Sequence, residues 1–158
     1  MCMAETYNLQ GNRENEKIYL QNAIEIVEQE KDSFSLVFAL HNLGYSNYSK
    51  GQYDTALVVY TKTLDLLKKL DYPYATHDYF VCLGNLGLVY SGLSDFEKAE
   101  EYLLTAIDTL ARLGGERAVP EFMIGYANVL RQKGEIKQAI TYASWAFKNT
   151  DDPDYERD

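Results

Sequence analysis

Asn42-Leu43-Gly44, followed after six residues by Gly51-Gln52-Tyr53-Asp54-Thr55-Ala56, is the stretch from which the rest of the chain is read. Asn-Leu-Gly returns as Asn85-Leu86-Gly87, forty-three residues later, and in each copy an alanine stands twelve residues beyond the glycine, at Ala56 and Ala99. The second phrase returns within Leu93-Ser94-Asp95-Phe96-Glu97-Lys98-Ala99 and again as Gly134-Glu135-Ile136-Lys137-Gln138-Ala139. A degenerate copy runs Gly11-Asn12-Arg13-Glu14-Asn15-Glu16, so the anchors Glu16, Ala56, Ala99 and Ala139 are spaced 40, 43 and 40 residues apart. Self-similarity at such a period marks a repeat array, in which each unit buries its apolar face against its neighbours rather than alone.

Inside each copy the apolar period is helical. Ala56, Val59/Tyr60, Thr63/Leu64 and Leu67 recur at three and four; so do Ala99, Leu103, Ala106/Ile107 and Leu110, and Ala139, Ala143 and Ala146/Phe147. Tyr19/Leu20, Ala23 and Ile26/Val27 repeat the pattern near the start. One face of each helix is therefore apolar, and no long stretch alternates with the period of two that a strand needs. Gly51 and Gly134 mark turns, Asp95 is placed to cap a helix beginning near Phe96, and Gly114-Gly115 and Asp71-Tyr72-Pro73 are breaks. These signals predict about seven helices, at 12–30, 34–49, 52–70, 74–91, 95–113, 118–132 and 135–148, joined as antiparallel pairs. Gly44 and Gly87 fall inside helices, where a missing side chain permits close approach; Ala56 and Ala99 are the expected small partners across each crossing.

These residues carry a recognisable signature: the chain resembles the tetratricopeptide repeat family. Leu43-Gly44, Tyr53 and Ala56 follow its pattern, with Tyr60 at the large aromatic position; so do Leu86-Gly87, Tyr90, Phe96, Ala99 and Ala106. The third unit keeps Gly134, Ile136, Ala139 and Ala146 but has Ala127 where glycine is usual. The repeats exceed the family's minimal unit of about thirty-four residues, and are similar to the longer repeats of kinesin light chains and of bacterial peptide-binding regulators. The resemblance implies an all-α, right-handed superhelical solenoid of antiparallel helix pairs. The expected organisation is an N-terminal half-repeat or capping helix over 1–30, repeats over 31–70, 71–114 and 115–149, and an acidic tail over 150–158, all in one solenoid domain.

The resemblance also implies a function class: a non-catalytic scaffold or adaptor that takes a peptide or a partner helix on its concave face, which the first helix of each pair lines. In that register the face is formed by Phe38, His41, Asn42, Tyr45 and Tyr48, then Val81, Asn85 and Leu88 with Gly84 and Ser91, then Glu121, Ile124, Asn128 and Arg131 with Gly125. The surface is aromatic at one end, small in the middle and polar at the other. Its asparagines suit a peptide backbone and its tyrosines suit an aromatic anchor role; equally, Asn42 and Asn85 can brace adjacent helices and the tyrosines half-cover the core. A clamp for a C-terminal carboxylate is disfavoured, because the positions that would need basic residues hold His41, Glu121 and Gly125.

Charge and composition narrow the partners further. Fifteen basic residues against twenty-four acidic ones give a net charge of −9, which disfavours nucleic acid and anionic membranes, since phosphates need a positive patch. No run approaches the length of a membrane span, and Met1-Cys2-Met3-Ala4-Glu5 lacks the basic start of an ordinary signal peptide, so the expected setting is cytoplasmic. Cys2 and Cys82 make neither a disulfide scaffold nor a zinc site, His41 and His77 lack a third ligand, and no phosphate-binding glycine loop occurs. No cofactor, no metal and no catalysis are expected, and Cys82 reads as a buried thiol. Two alternatives remain open: a self-associating module, in which Trp145 and Phe147 of the last helix contact a second copy in a homodimer, and a regulatory domain of a larger enzyme or assembly.

Overall fold

The computed structural model describes residues 33–70, 75–114 and 118–150. They form α1 (Ser33–Ser49), α2 (Tyr53–Leu67), α3 (Ala75–Gly92), α4 (Phe96–Leu113), α5 (Ala118–Gln132) and α6 (Ile136–Thr150). Each boundary lies within three residues of the expected one. The expected helix over 12–30 and the acidic tail lie outside the described residues. The architecture is all-α and built of antiparallel helix pairs: α1 with α2, α3 with α4, and α5 with α6. The chain divides into two compact units, residues 1–71 and 72–158. The first contains the α1–α2 pair. In the second, α5 packs on both α3 and α4, the stacking by which a repeat array extends its core.

One turn is built three times. Gly51 N–H donates to Tyr48 O and Gln52 N–H to Asn47 O; Ser94 and Asp95 donate likewise to Ser91 and Tyr90, and Gly134 and Glu135 to Arg131 and Leu130. This six-to-one closure satisfies the last carbonyls of the first helix and needs a left-handed residue at its apex. Gly51 (φ 72°) and Gly134 (φ 84°) supply it, and at the same point of the middle repeat Ser94 adopts φ 63°. The next helix starts at once, with Ala56, Ala99 and Ala139 donating to Gln52, Asp95 and Glu135. Asp95 caps α4 by accepting from Lys98 N–H at 3.3 Å, and the Lys98 ammonium, 2.8 Å from its other oxygen, holds its carboxyl below its ordinary value.

The helices of a pair meet closely at the expected glycines, but against different partners. A Cβ on Gly44 would lie 2.6 Å from the Tyr60 ring, and one on Gly87 would lie 2.7 Å from Leu103 Cγ and 3.0 Å from its backbone nitrogen. Tyr60 and Leu103 stand one turn beyond Ala56 and Ala99, so the alanines are not what lies nearest the glycines. The alanines are themselves fully buried, as are Ala106 and Ala146. Around these points the core is apolar: Leu40, Leu43, Val59 and Leu67 in the first unit, and Val89, Leu103, Leu110, Phe122, Val129 and Leu130 in the second.

A polar hook fixes α5 on α4. Tyr126 Oη donates to Glu100 at 2.8 Å, and Lys133 pairs with the other oxygen of the same carboxylate. Lys133 and then Tyr126 hold the Glu100 carboxyl below its ordinary value, while burial and Glu100 keep the Tyr126 hydroxyl protonated far above its usual range.

Two outcomes follow for stability. Ser94→Gly removes the left-handed strain of a residue with a side chain, offset by the greater unfolded freedom of glycine. A net gain of about 0.5–1 kcal/mol is expected, read as a rise of roughly 1–4 °C in Tm by calorimetry. Tyr126→Phe should cost about 1.5–3 kcal/mol, the range for a hydrogen bond to a charged group. Because the Glu100 pKa is lowered on folding, its contribution is complete above the unfolded carboxylate value of about 4.3 and fades as pH falls below it. Urea unfolding of wild type and Glu100→Gln from pH 7 to pH 3 should therefore converge at the acid end.

Candidate protein-binding surface

α1 is the unusual helix. Its seventeen residues, Ser33–Ser49, contain no Asp, Glu, Lys or Arg, and the aromatic residues on one of its faces are open: Phe34 is 59% exposed, Phe38 57% and Tyr45 52%. The spacings of four and seven residues bring all three onto one side of a helix with 3.6 residues per turn. His41 and Asn42 lie half-buried between them. The His41 ring is braced edge-on against Tyr60, with centroids 5.6 Å apart and planes at 74°. Tyr48, half-buried at the end of the helix, leans on Tyr53 across the turn at 5.8 Å, so it belongs to the packing of the pair more than to the open face. The result is an apolar ladder about three turns long with a polar rung at its centre.

Phe34 belongs to this ladder and was not among the expected groove residues, although its distance of four residues from Phe38 carried the signal. The opposite side of α1 faces α2, where a cleft of about 540 Å³ opens between Leu36, Leu40, Leu57 and Val58 with Lys62 and Lys69 at its rim.

The remaining expected residues lie in the second unit, on α3 and α5. Asn85 and Leu88 are buried and Val81 is half-buried. The reason is the side-by-side packing of α3 and α5: a Cβ on Gly84 would meet the Phe122 ring at 2.4 Å, and one on Gly125 would meet Leu88 Cδ2 at 2.2 Å. Gly84, Leu88 and Gly125 are therefore spent on helix–helix contact, and the expected middle of the groove is a packed seam. Along α5, Glu121, Asn128 and Arg131 are exposed around Ile124, which is 47% exposed. Glu121 is open by area, yet partial desolvation raises its carboxyl above the ordinary value. Asn42 and Asn85 share one repeat position, which Gly125 fills in the third unit. Asn128 sits one turn later, so the three asparagines do not form one row.

Reactive chemistry has no centre among the described residues. Burial pushes the Cys82 thiol far above its usual range, the state of an inert core cysteine. No cluster of three or more His, Cys, Asp or Glu side chains is arranged to hold a metal ion among the described residues. No helix among them is long and apolar enough to cross a membrane.

Two family models of the tetratricopeptide repeat match the chain, over residues 39–65 and 82–109. Among solved structures, the apo form of RapI superposes with a TM-score of 0.81 at 17% identity, covering 96% of this chain and 56% of that one. BtubC (BKLC) from P. vanneervenii superposes with a TM-score of 0.71 at 18% identity, covering 90% and 58%. Kinesin light chain repeats of Podosopora anserina give 0.65 at 16% identity, covering 99% and 74%. The chain thus spans less than three fifths of the length of the first two. No curated protein matches it in sequence. At these identities the likeness concerns the fold, and the fold is one that typically serves as a non-catalytic protein- or peptide-binding scaffold.

If the ladder is surface and not core, Phe34→Ser with Phe38→Ser should change stability by no more than about 0.5 kcal/mol. The same double variant should bind markedly less of an apolar-surface dye. Unfolding curves and dye fluorescence on wild type and variant check both statements.

Proposed function

We propose that the chain, which matches tetratricopeptide repeat models over residues 39–65 and 82–109, is a non-catalytic adaptor that holds an apolar helix or extended peptide of a partner on the ladder of α1. The observation that carries this reading is the exposure of Phe34, Phe38 and Tyr45 on a helix with no Asp, Glu, Lys or Arg. Contiguous exposed apolar surface of this kind marks an interaction site more often than scattered single residues do, and aromatic side chains are the usual anchors of such contacts. His41 and Asn42 sit among the anchors, where they can meet polar groups of a bound main chain. A ligand with two or three large apolar side chains at spacings of three and four fits the ladder as a helix. A cytoplasmic setting is part of the proposal, in keeping with a chain that has only two cysteines. Self-association through the last helix is a second reading, favoured by the exposure of Ile140 and Phe147 on α6.

Selection from a displayed library of random peptides on the intact chain tests the first reading. The expected winners carry paired aromatic or aliphatic residues at helical spacing, and Phe38→Ala with Tyr45→Ala should weaken them at least about tenfold, or 1.4 kcal/mol, at unchanged helicity. Winners that bind the double variant equally well would move the site elsewhere.

A further inference from the structure

The turn that closes each helix pair can be compared with itself at three places in one chain. The carbonyl that accepts its six-to-one bond belongs to Asn47 in the first repeat, Tyr90 in the second and Leu130 in the third. Gln52, Asp95 and Glu135 donate to them at 2.9, 3.0 and 2.8 Å. The backbone is the same each time; the side chain at the accepting residue is not. Leu130 is fully buried. Tyr90 is half-buried, with its ring against Tyr102 at 5.4 Å and the Lys98 ammonium 4.9 Å from its centre. Asn47 is 1% exposed, as closed off as Leu130, yet it carries an amide.

Half of that amide is satisfied. Nδ2 donates to Leu43 O, one turn back on α1, at 2.7 Å. This bond fixes the orientation of the group, because exchanging its two ends would set Oδ1 against another acceptor. Oδ1 is thereby held in the interior without a donor, the only buried side-chain polar atom in that state among the described residues. The buried Thr63 hydroxyl on α2, by contrast, donates to Val59 O at 2.9 Å.

A buried acceptor without a donor has given up its hydration for nothing, and the cost falls on the closed form alone. When the end of α1 and its turn open, Oδ1 regains water. The acceptor therefore pulls the local equilibrium toward opening at this point. A leucine there pulls the other way, since opening would expose apolar surface. The turn itself does not demand the amide: Tyr90 and Leu130 perform the same backbone role without one.

We infer that Asn47 makes the turn between α1 and α2 a weak joint, a local opening device that the other two repeats lack. The joint lies within one turn of Tyr45, the last anchor of the α1 ladder, and the parts of proteins that move on binding are drawn from the least stable segments. The inference is read from the turn alone and is independent of whether the ladder is the binding surface.

Native-state hydrogen exchange on the full chain tests it, with the turn amides of Gln52, Asp95 and Glu135 as probes. Asn47→Leu, which installs the residue of the third repeat, should slow exchange at Gln52 by at least about fivefold, the lower end of what an unsatisfied buried acceptor costs. Asp95 and Glu135 should exchange as before. Asn47→Met, whose flexible side chain adapts to irregular space, should act in the same direction, with circular dichroism confirming equal helicity. Exchange at Gln52 that is unchanged or faster in both variants overturns the inference, because Oδ1 then has a donor in solution, such as an internal water. Loss of helicity in both overturns it as well, since the amide would then be holding the pair together. Equal slowing at all three turns overturns the assignment to one joint.

Discussion

The structure depends on how closely two helix backbones approach inside each pair. At Gly44 and Gly87 nothing but hydrogen separates the first helix from Tyr60 and Leu103 of the second. Close packing turns that absence into a fixed crossing point, since interiors have little slack for one extra methyl group. The turn is adjusted to the crossing: the same pair of backbone hydrogen bonds closes all three connections and delivers the second helix in the same orientation each time. The third repeat keeps the turn but has Ala127 in place of the glycine.

These crossings and turns show what was legible in the sequence and what was not. Repeat period, helix boundaries, turn glycines and the Asp95 cap could all be read, because each depends on residues within one or two turns of one another. The partner of each glycine was misread by one turn, since periodicity tells which side of a helix is apolar but not how far two helices slide past each other. The middle of the expected groove failed for a related reason. Leu88 and Gly125 both lie on the inner side of their helices, but they face one another. Only the lateral packing of α3 and α5 decides that Leu88 fills the space left by Gly125 rather than lining an open surface. Phe34 was missed at the opposite extreme: it stands at the first exposed turn of α1, where helix boundaries are least certain.

The candidate surfaces differ in how the fold supports them. On α1 the open aromatics alternate with residues tied into the pair: His41 leans on Tyr60, and Tyr48 on Tyr53. The ladder is therefore mounted on the same aromatic side chain that fills the space beside Gly44. A rigid mount matters for affinity, because anchors that are already ordered lose less conformational freedom when a partner arrives. The absence of Asp, Glu, Lys and Arg along α1 has a second effect. In a chain of net charge −9, it leaves one helix from which an apolar ligand meets no fixed repulsion and needs no compensating ion pair.

On α6 the logic is that of the repeat itself. Every second helix in this architecture has one side for its own partner and another for the helix that follows. In α4 the second side is covered by α5, and there it holds a glutamate whose oxygens fix the incoming helix through Tyr126 and Lys133. Such a carboxylate specifies one neighbour, because only a helix carrying a donor at the right turn can satisfy it. Ile140, at the same repeat position forty residues later, removes that demand, and an apolar face of this kind accepts any helix with a matching pattern.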